Sequence, residues 1–291
     1  MTAVLVIAIL IYAAYIISRI ELRNLRVCRY SISSPKYHSD TPAKIIFMSD
    51  LHACSYGEGN STMLDCIARE GPDIILLGGD MINRLKKEHA GEAAREDARV
   101  AELIGKLSET APVYYAPGNH EKSISENDRE RWEAFLKMPG TSKAQFLFDQ
   151  SADTGNNVSV SGLDCELMYY QKLKTVLMSE DVIAAHLGKP DKNIYNILLA
   201  HSPDNFDSCA AAGFDLILSG HLHGGVVGLP GGRGLISTSL RLFPKYAHGL
   251  FEKNGAAMIV TCGAGSHHVN IRLFNRPEIT VISLSGAETE N

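Results

Sequence analysis

The stretch Phe214-Asp215-Leu216-Ile217-Leu218-Ser219-Gly220-His221-Leu222-His223-Gly224-Gly225 decides how this chain is read. An apolar run of strand type stops at a glycine and gives way to two histidines one residue apart. In an extended segment, side chains i and i+2 point the same way, so His221 and His223 can present both imidazoles to one point. The neighbouring glycines leave backbone room for something small and charged. Imidazoles so placed suit a transition metal better than a structural role.

The same device recurs upstream. Lys44-Ile45-Ile46-Phe47-Met48 reads as a buried strand that ends at Ser49-Asp50-Leu51-His52, with Asp50 and His52 again at i and i+2. Ser61–Glu70 has a helical pattern with Met63, Leu64 and Ile67 on one face. A second apolar run, Asp73-Ile74-Ile75-Leu76-Leu77, leads into Gly78-Gly79-Asp80-Met81-Ile82-Asn83. Val113-Tyr114-Tyr115-Ala116-Pro117 ends in Gly118-Asn119-His120-Glu121, and Tyr195–Ala200 ends at His201-Ser202-Pro203. Strand, helix and strand, with functional groups at the strand ends, is the pattern by which parallel strands deliver side chains to their C-terminal edge. A strand-end aspartate making a turn would explain Asp50 alone but leaves His52 idle. Chance supplies one or two such coincidences, not five in succession.

The other segments ask for less. Tyr30–Tyr37 reads as a strand or linker, and Lys86–Lys106 as a solvated amphipathic helix. Ser125–Met138 reads as a polar helix carrying the only tryptophan, Trp132. Phe146–Phe148 and Val158–Gly162 suit antiparallel strands of a second sheet, and Glu166–Leu187 is helical in character. Ala256–Cys262 and Glu278–Leu284 are late strands, Gly228–Gly234 is an entry loop or a plain turn, and Gly286–Asn291 is a frayed tail.

With 291 residues, 45% apolar and 21% charged, the chain suits one large domain, or one domain with an appendage. A net charge of -5 lacks the basic footprint of a nucleic-acid binder. The six cysteines stand without CxxC spacing, which points to free thiols rather than a disulfide framework or a zinc finger. Met1–Ile17 carries no charge, and Arg19, Arg23, Arg26 and Arg29 follow it. A secretory signal has its positive charge before the apolar core and a small-residue cleavage site after it. The order here is the reverse, so residues 1–20 read as a single-pass membrane anchor with the rest of the chain cytoplasmic. The alternative is a buried or interface-lying helix. The division expected is an anchor at 1–20, a linker or first strand at 21–40, a catalytic domain at 41–285 and a tail at 286–291.

Asp50, His52, Asp80, Asn119, His120, His201, His221 and His223 supply nitrogen and oxygen ligands without thiolate, which favours Mn, Fe, Zn or a similar divalent ion. The count is too large for one ion and suits two ions sharing a bridging carboxylate. Such pairs, about 3.5–4 Å apart, are a device for hydrolysing phosphate esters.

In the ordered motifs D-x-H (Asp50, His52), G-D-x-x-N (Gly79 to Asn83), G-N-H-E (Gly118 to Glu121), a lone His201 and G-H-x-H (Gly220 to His223), the chain resembles the calcineurin-like metallophosphoesterases. Phe243-Pro244-Lys245-Tyr246, Gly249-Leu250, Arg272 and Pro277-Glu278 further resemble a membrane-anchored bacterial branch that includes UDP-2,3-diacylglucosamine pyrophosphatase-like phosphodiesterases. Val226 stands where branch members often carry glutamine after the His-Gly-Gly. The resemblance implies an α/β fold, a four-layer α-β-β-α sandwich preceded by one transmembrane helix. It implies one metal on Asp50, His52 and His223, a second on Asn119, His201 and His221, and Asp80 bridging both. It implies in-line attack by a metal-bound hydroxide, His120 protonating the leaving group, and Glu121 orienting a neighbour. Arg84 follows the G-D-x-x-N motif where protein phosphatases place a phosphate-binding arginine, although Leu85 replaces their next glycine. His248, His267 and His268 fall in late loops as ordinary histidines, and Cys54 reads as a small buried residue.

The expectation is a dimetal phosphodiesterase or pyrophosphatase acting on a phosphoester, with the anchor favouring a lipid-linked or amphiphilic one. A phosphomonoesterase or protein phosphatase is the enzymatic alternative. A non-catalytic scaffold is disfavoured, because every motif residue is in place.

Overall fold

The computed structural model describes residues 2–171, 174–225, 227–229, 233–237, 241–266 and 271–287. The chain opens with helix α1 (Thr2–Glu21), followed by strands β1 (Arg26–Ser33) and β2 (Ala43–Met48) and helix α2 (Ser61–Glu70). Strand β3 (Ile74–Leu77), helix α3 (Ala90–Thr110), strand β4 (Val113–Tyr115) and helices α4 (Asn119–Asn127) and α5 (Arg129–Leu136) come next. Then follow β5 (Gln145–Phe146), β6 (Gln150–Gly155), β7 (Val158–Gly162), α6 (Glu180–Leu187), β8 (Tyr195–Leu199), α7 (Phe206–Ala211) and β9 (Leu216–Ser219). The chain ends with β10 (Gly228–Leu229), β11 (Arg233–Gly234), β12 (Gly249–Lys253), β13 (Ala256–Val260) and β14 (Glu278–Ser285).

Two six-stranded sheets form, in the orders β1-β14-β2-β3-β4-β5 and β12-β13-β9-β8-β7-β6. Side-chain alternation along β2 explains their stacking. Ile45 and Phe47 face inward, where they meet Val160, Ile197, Leu218 and Ile259 of the other sheet. Ile46 and Met48 face outward, onto Met63 and Ile67 of α2, Leu103 and Leu107 of α3 and Phe135 of α5. On the second sheet, Leu198, Ile217 and Met258 point away from the first and pack on Ile183 of α6 and Phe206 and Cys209 of α7. The result is a mixed α/β fold with two facing sheets covered by helices.

β2, β3 and β4 are parallel neighbours, as are β8 and β9, so all five motifs leave from C-terminal strand ends. Several expected elements differ. Phe146 belongs to the first sheet, where β5 runs parallel to β4, while β7 pairs antiparallel with β6 in the second. The polar helix breaks at Asp128 into α4 and α5. Glu166–Leu187 is a short turn at Leu167–Tyr170 and then α6, because Ser179 caps α6 by accepting from the Val182 N–H. Of the segment read as a strand or linker, Tyr30–Ser33 is the second half of β1, which pairs in parallel with β14 along its full length, and the residues after Ser33 are the linker.

Helix α1 stands apart from both layers, with the window Val4–Glu21 only 6% buried. It is long and apolar enough to cross a membrane. Its last turn is tied to the domain where Ser18 Oγ accepts from the Arg272 N–H and Glu21 accepts from the Asn275 N–H.

Candidate active site

Strands β2 and β9 stop at Met48 and Ser219, before the paired residues expected to ligate begin. The extended geometry expected at Asp50/His52 and His221/His223 is therefore absent. All four residues, and Asp80, lie in the left-handed region, with φ of 54°, 48°, 68°, 51° and 52°. Side chains without glycine's freedom occupy that region at a cost of about 1–2 kcal/mol each. The surrounding contacts hold them there. The Asp50 carboxylate accepts the His221 N–H at 3.0 and 3.1 Å, and a Cβ on Gly220 would collide with that carboxylate and with Ser49.

Asp50, His52 and His223 form a buried group whose ligand atoms lie within 4.8 Å of one another. His223 Nε2 is 3.3 Å from Asp50 Oδ1 and 3.2 Å from His52 Nε2. Asp80, His201 and His221 form a second such group, and His52, Asp80 and His120 a third. Asp80 thus belongs to two groups, and His52 links them to the first.

His201 Nδ1 is 2.7 Å from the Gly78 carbonyl, which fixes Nδ1 as the donor. Its Nε2 is turned toward Asp80 Oδ2 at 3.4 Å and Asp50 Oδ1 at 3.8 Å, without a hydrogen-bond partner. A nitrogen lone pair facing two carboxylates requires a cation, whether a proton or a metal. Burial opposes the imidazolium form, but Asp80 and Asp50 push His201 up to about 10. Burial raises Asp50 to about 6, with the Asp80 charge adding to it against His201. Asp80 is equally buried, yet His120 and His201 hold it well below the usual carboxylate range. Burial and the His201 charge push His221 down to about 3, leaving a neutral imidazole of the kind a metal takes. Asn119, the first residue of α4, has a buried Oδ1 without a hydrogen-bond partner. Nitrogen and oxygen donors, an orphaned amide oxygen and carboxylates facing lone pairs fit a divalent metal centre.

His120 Nδ1 accepts the Arg84 backbone N–H at 3.1 Å, and its Nε2 lies 3.8 Å from Asp80 Oδ2. Its ring meets that of His52 edge-on, with centroids 4.7 Å apart. The carboxylate of Glu121 is an anchor rather than a ligand. It accepts the N–H groups of Asp80, Met81, Ile82 and Gly118 and the Tyr115 hydroxyl, which pins the Gly79–Asp80 turn against α4. Asn83 turns away from the cluster and donates to the His52 carbonyl and to Glu96.

Arg84 lines a cavity of about 660 Å³ with Ser123, Asn127 and Arg131. His248 lies 3.2 Å from Glu278, beside Arg26, in a separate cluster. Cys54 is half-buried and Cys262 fully so. Val226, His267 and His268 lie outside the described residues. The motif reading missed Tyr170, whose ring packs 5.2 Å from His221 and 5.9 Å from His201. It also gave no role to Asn275, which donates to the carbonyls of His223 and Gly225, or to Arg272, which donates to that of Cys262. A lone tyrosine or asparagine in a loop carries no local sequence signal, and Arg272 stands out only as one of the residues of the branch resemblance.

Residues 43–225 match the family model of the calcineurin-like phosphoesterases. An uncharacterized metallophosphoesterase of Aquifex aeolicus is 28% identical over 272 residues, covering 92% of this chain and 95% of that one. The phosphodiesterase YaeI of Escherichia coli is 27% identical over 251 residues, covering 84% and 82%. Among solved structures, TT1561 of Thermus thermophilus aligns at 14% identity with a TM-score of 0.46, over 78% of this chain and 90% of that one. The class is thus that of metal-dependent phosphoester hydrolases. Within it, the chain belongs to the calcineurin-like phosphoesterase family.

Proposed function

We propose that this chain is a two-metal phosphodiesterase or pyrophosphatase tethered to a membrane by residues 1–20, with its chemistry carried within residues 41–285. The observation that carries the reading is the adjacency of two groups of ligand-competent side chains, Asp50/His52/His223 and Asp80/His201/His221, within one cluster. Asp50, His52 and His223 would hold one ion, Asn119, His201 and His221 the other, and Asp80 both. Bound there, a pair of ions supplies Lewis acidity and lowers the pKa of bound water.

The protein's own residues do the rest. Asp80, ionised and fixed by Glu121, keeps the two groups in register. His120 takes a hydrogen bond at Nδ1, so in the neutral ring the proton sits on Nε2, on the side of the cluster. From there it is given to the departing oxygen, the role of a general acid. Tyr170 packs its ring against those of His201 and His221.

The arginines that follow the apolar helix support a cytoplasmic side for the domain. A lipid-linked or amphiphilic phosphoester fits that location, and a UDP-linked lipid is the probe for the pyrophosphatase branch. The test is hydrolysis by the full-length protein in detergent, with added Mn²⁺ or chelator. Bis-p-nitrophenyl phosphate, p-nitrophenyl phosphate and a UDP-sugar lipid are the substrates. Diester or pyrophosphate cleavage that chelator abolishes supports the reading. Preferred cleavage of the monoester would reassign the bond, and no turnover by folded, metal-loaded protein would return the chain to the scaffold class.

A further inference from the structure

We infer that the domain carries an apolar collar, Leu229, Leu242, Phe243, Ile271 and Phe274, that inserts into the lipid surface and holds the metal-site loops against the bilayer. This rests on the proposed anchor but adds a second, independent membrane contact.

The collar is a set of large apolar side chains that folding leaves in water. Leu242, Phe243 and Phe274 are 67%, 64% and 69% exposed, while the core of the same domain is closed. They are not scattered. Phe243 N–H donates to Leu235, Leu235 N–H to Val227, and Gly228 N–H to Leu273, so four short segments run side by side. Adjacent strand-like segments lie about 4.7–4.9 Å apart, which places these side chains on one ribbon. Large apolar side chains left exposed together on neighbouring segments call for an occupant.

The occupant follows from what the ribbon is attached to. Its 271–276 segment is bonded to the foot of α1, through Arg272 N–H to Ser18 Oγ, Asn275 N–H to Glu21 and Arg276 Nε–H to the Asn24 carbonyl. The apolar surface of α1, itself almost wholly unburied, therefore continues into the collar. Arg19, Arg23 and Arg276 are exposed at this level and have no carboxylate partner among the described residues. Apolar side chains flanked by unpaired arginines match the boundary between acyl chains and anionic headgroups. A protein partner would have to fit around a helix that occupies the membrane.

The same segment reaches the chemistry. Asn275 holds the His223 and Gly225 carbonyls, and the Arg272 guanidinium lies 3.3 Å from His223 Nδ1. Collar and ligand loop are thus joined by direct bonds. A substrate whose apolar part stays in the bilayer would meet the cluster without leaving the membrane, so the collar selects amphiphilic phosphoesters over soluble ones.

The test uses the full chain in phosphatidylcholine–phosphatidylglycerol vesicles. Phe243→Trp and Phe274→Trp each add a fluorophore, while the native Trp132, buried between α5 and the first sheet, serves as the internal reference. Lipids brominated high on the acyl chain should quench the new tryptophans at least about twofold, since interfacial groups sit about 5–10 Å into the headgroup–acyl boundary. Retention of the protein after an alkaline wash reports on α1 alone. Retention without quenching overturns the collar and leaves the anchor standing; quenching in protein that washes off supports the collar and removes the anchor. For function, Leu242→Ser/Phe243→Ser/Phe274→Ser is compared on hexadecyl p-nitrophenyl phosphate in vesicles and on soluble bis-p-nitrophenyl phosphate. A loss of about tenfold on the first with the second unchanged is expected when apolar contacts are given up. Equal loss on both would make the collar a folding element and overturn the inference.

Discussion

The backbone N–H of Arg84 donates to Nδ1 of His120 at 3.1 Å. This single bond settles which ring nitrogen of the neutral imidazole carries the proton, because an N–H can be accepted only by a bare nitrogen. The proton is on Nε2, which faces Asp80 and the ligand cluster. Changing His120 to Asn removes that donor. We expect kcat to fall by about 10²–10⁴ on diesters with poor leaving groups, and far less on p-nitrophenyl esters, whose leaving group needs little protonation. Steady-state rates on a leaving-group series check this; an equal fall across the series would deny His120 the acid role.

The Arg84 peptide is itself held. Arg131 donates to the Asn83 carbonyl at 2.9 Å and makes a two-pronged pair with Asp97 at 2.8 Å, with Asp97 almost wholly buried. Arg131→Met would strand the Asp97 carboxylate inside the domain. Breaking a buried pair this way costs about 3–5 kcal/mol, readable as a lowered urea midpoint. Arg131→Met/Asp97→Leu, which removes both charges, should recover most of it.

Glu121 satisfies five donors with two oxygens. Glu121→Gln turns an NH₂ toward at least one set of N–H groups, and each buried donor left unsatisfied costs about 1–3 kcal/mol. Loosening the Asp80 turn should also weaken metal binding by about 10–100-fold, the usual effect of removing a group that orients a ligand. Urea denaturation and Mn²⁺ titration measure the two effects separately.

Metal loading should stabilise the fold. A ligand bound only by the native state at 100 times its Kd adds about 2.7 kcal/mol. Thermal unfolding with and without Mn²⁺ should therefore show a rise in Tm that chelator reverses. In Asp80→Asn the rise should shrink or vanish, since that carboxylate belongs to two of the ligand groups.

Glu278 provides the pH dependence away from the candidate metal site. Its burial opposes ionisation, but His248, Arg26 and the Cys262 N–H bring it from an ordinary 4.5 down to about 2. A folded-state value below the unfolded one means that the unfolded chain binds the proton first. The stabilisation is therefore complete above about pH 4.5 and is lost as pH falls from there through about 2. Urea midpoints measured across that window should drop more steeply for the native protein than for Glu278→Gln, which has no carboxyl to protonate.

The motif residues are readable because their signal is local. An apolar run followed closely by an imidazole or carboxylate is a pattern within ten residues, and it occurs five times. Helix α2 is equally legible, Met63 and Ile67 giving it one buried face. The short strand β5 is not, because two residues carry no period and only pairing with β4 assigns its sheet. Asp50/His52 and His221/His223 do meet at a joint site, but through left-handed backbone and not through the extended i, i+2 geometry. Left-handed backbone at four non-glycine residues leaves no trace in composition.

The sequence by itself determined which side chains stand at the strand ends, which strands are buried, and that an apolar helix precedes the domain. Those properties depend on residues near one another along the chain. Tertiary structure decided the rest: that Asp80 belongs to two ligand groups, that Arg84 sets the proton of His120, and that Arg272 and Asn275 tie the foot of α1 to His223. The Arg84–His120 bond joins residues 36 positions apart, and the Ser18–Arg272 bond residues 254 apart. Such contacts form only when sheet packing brings the loops to one edge, so no local pattern can encode them.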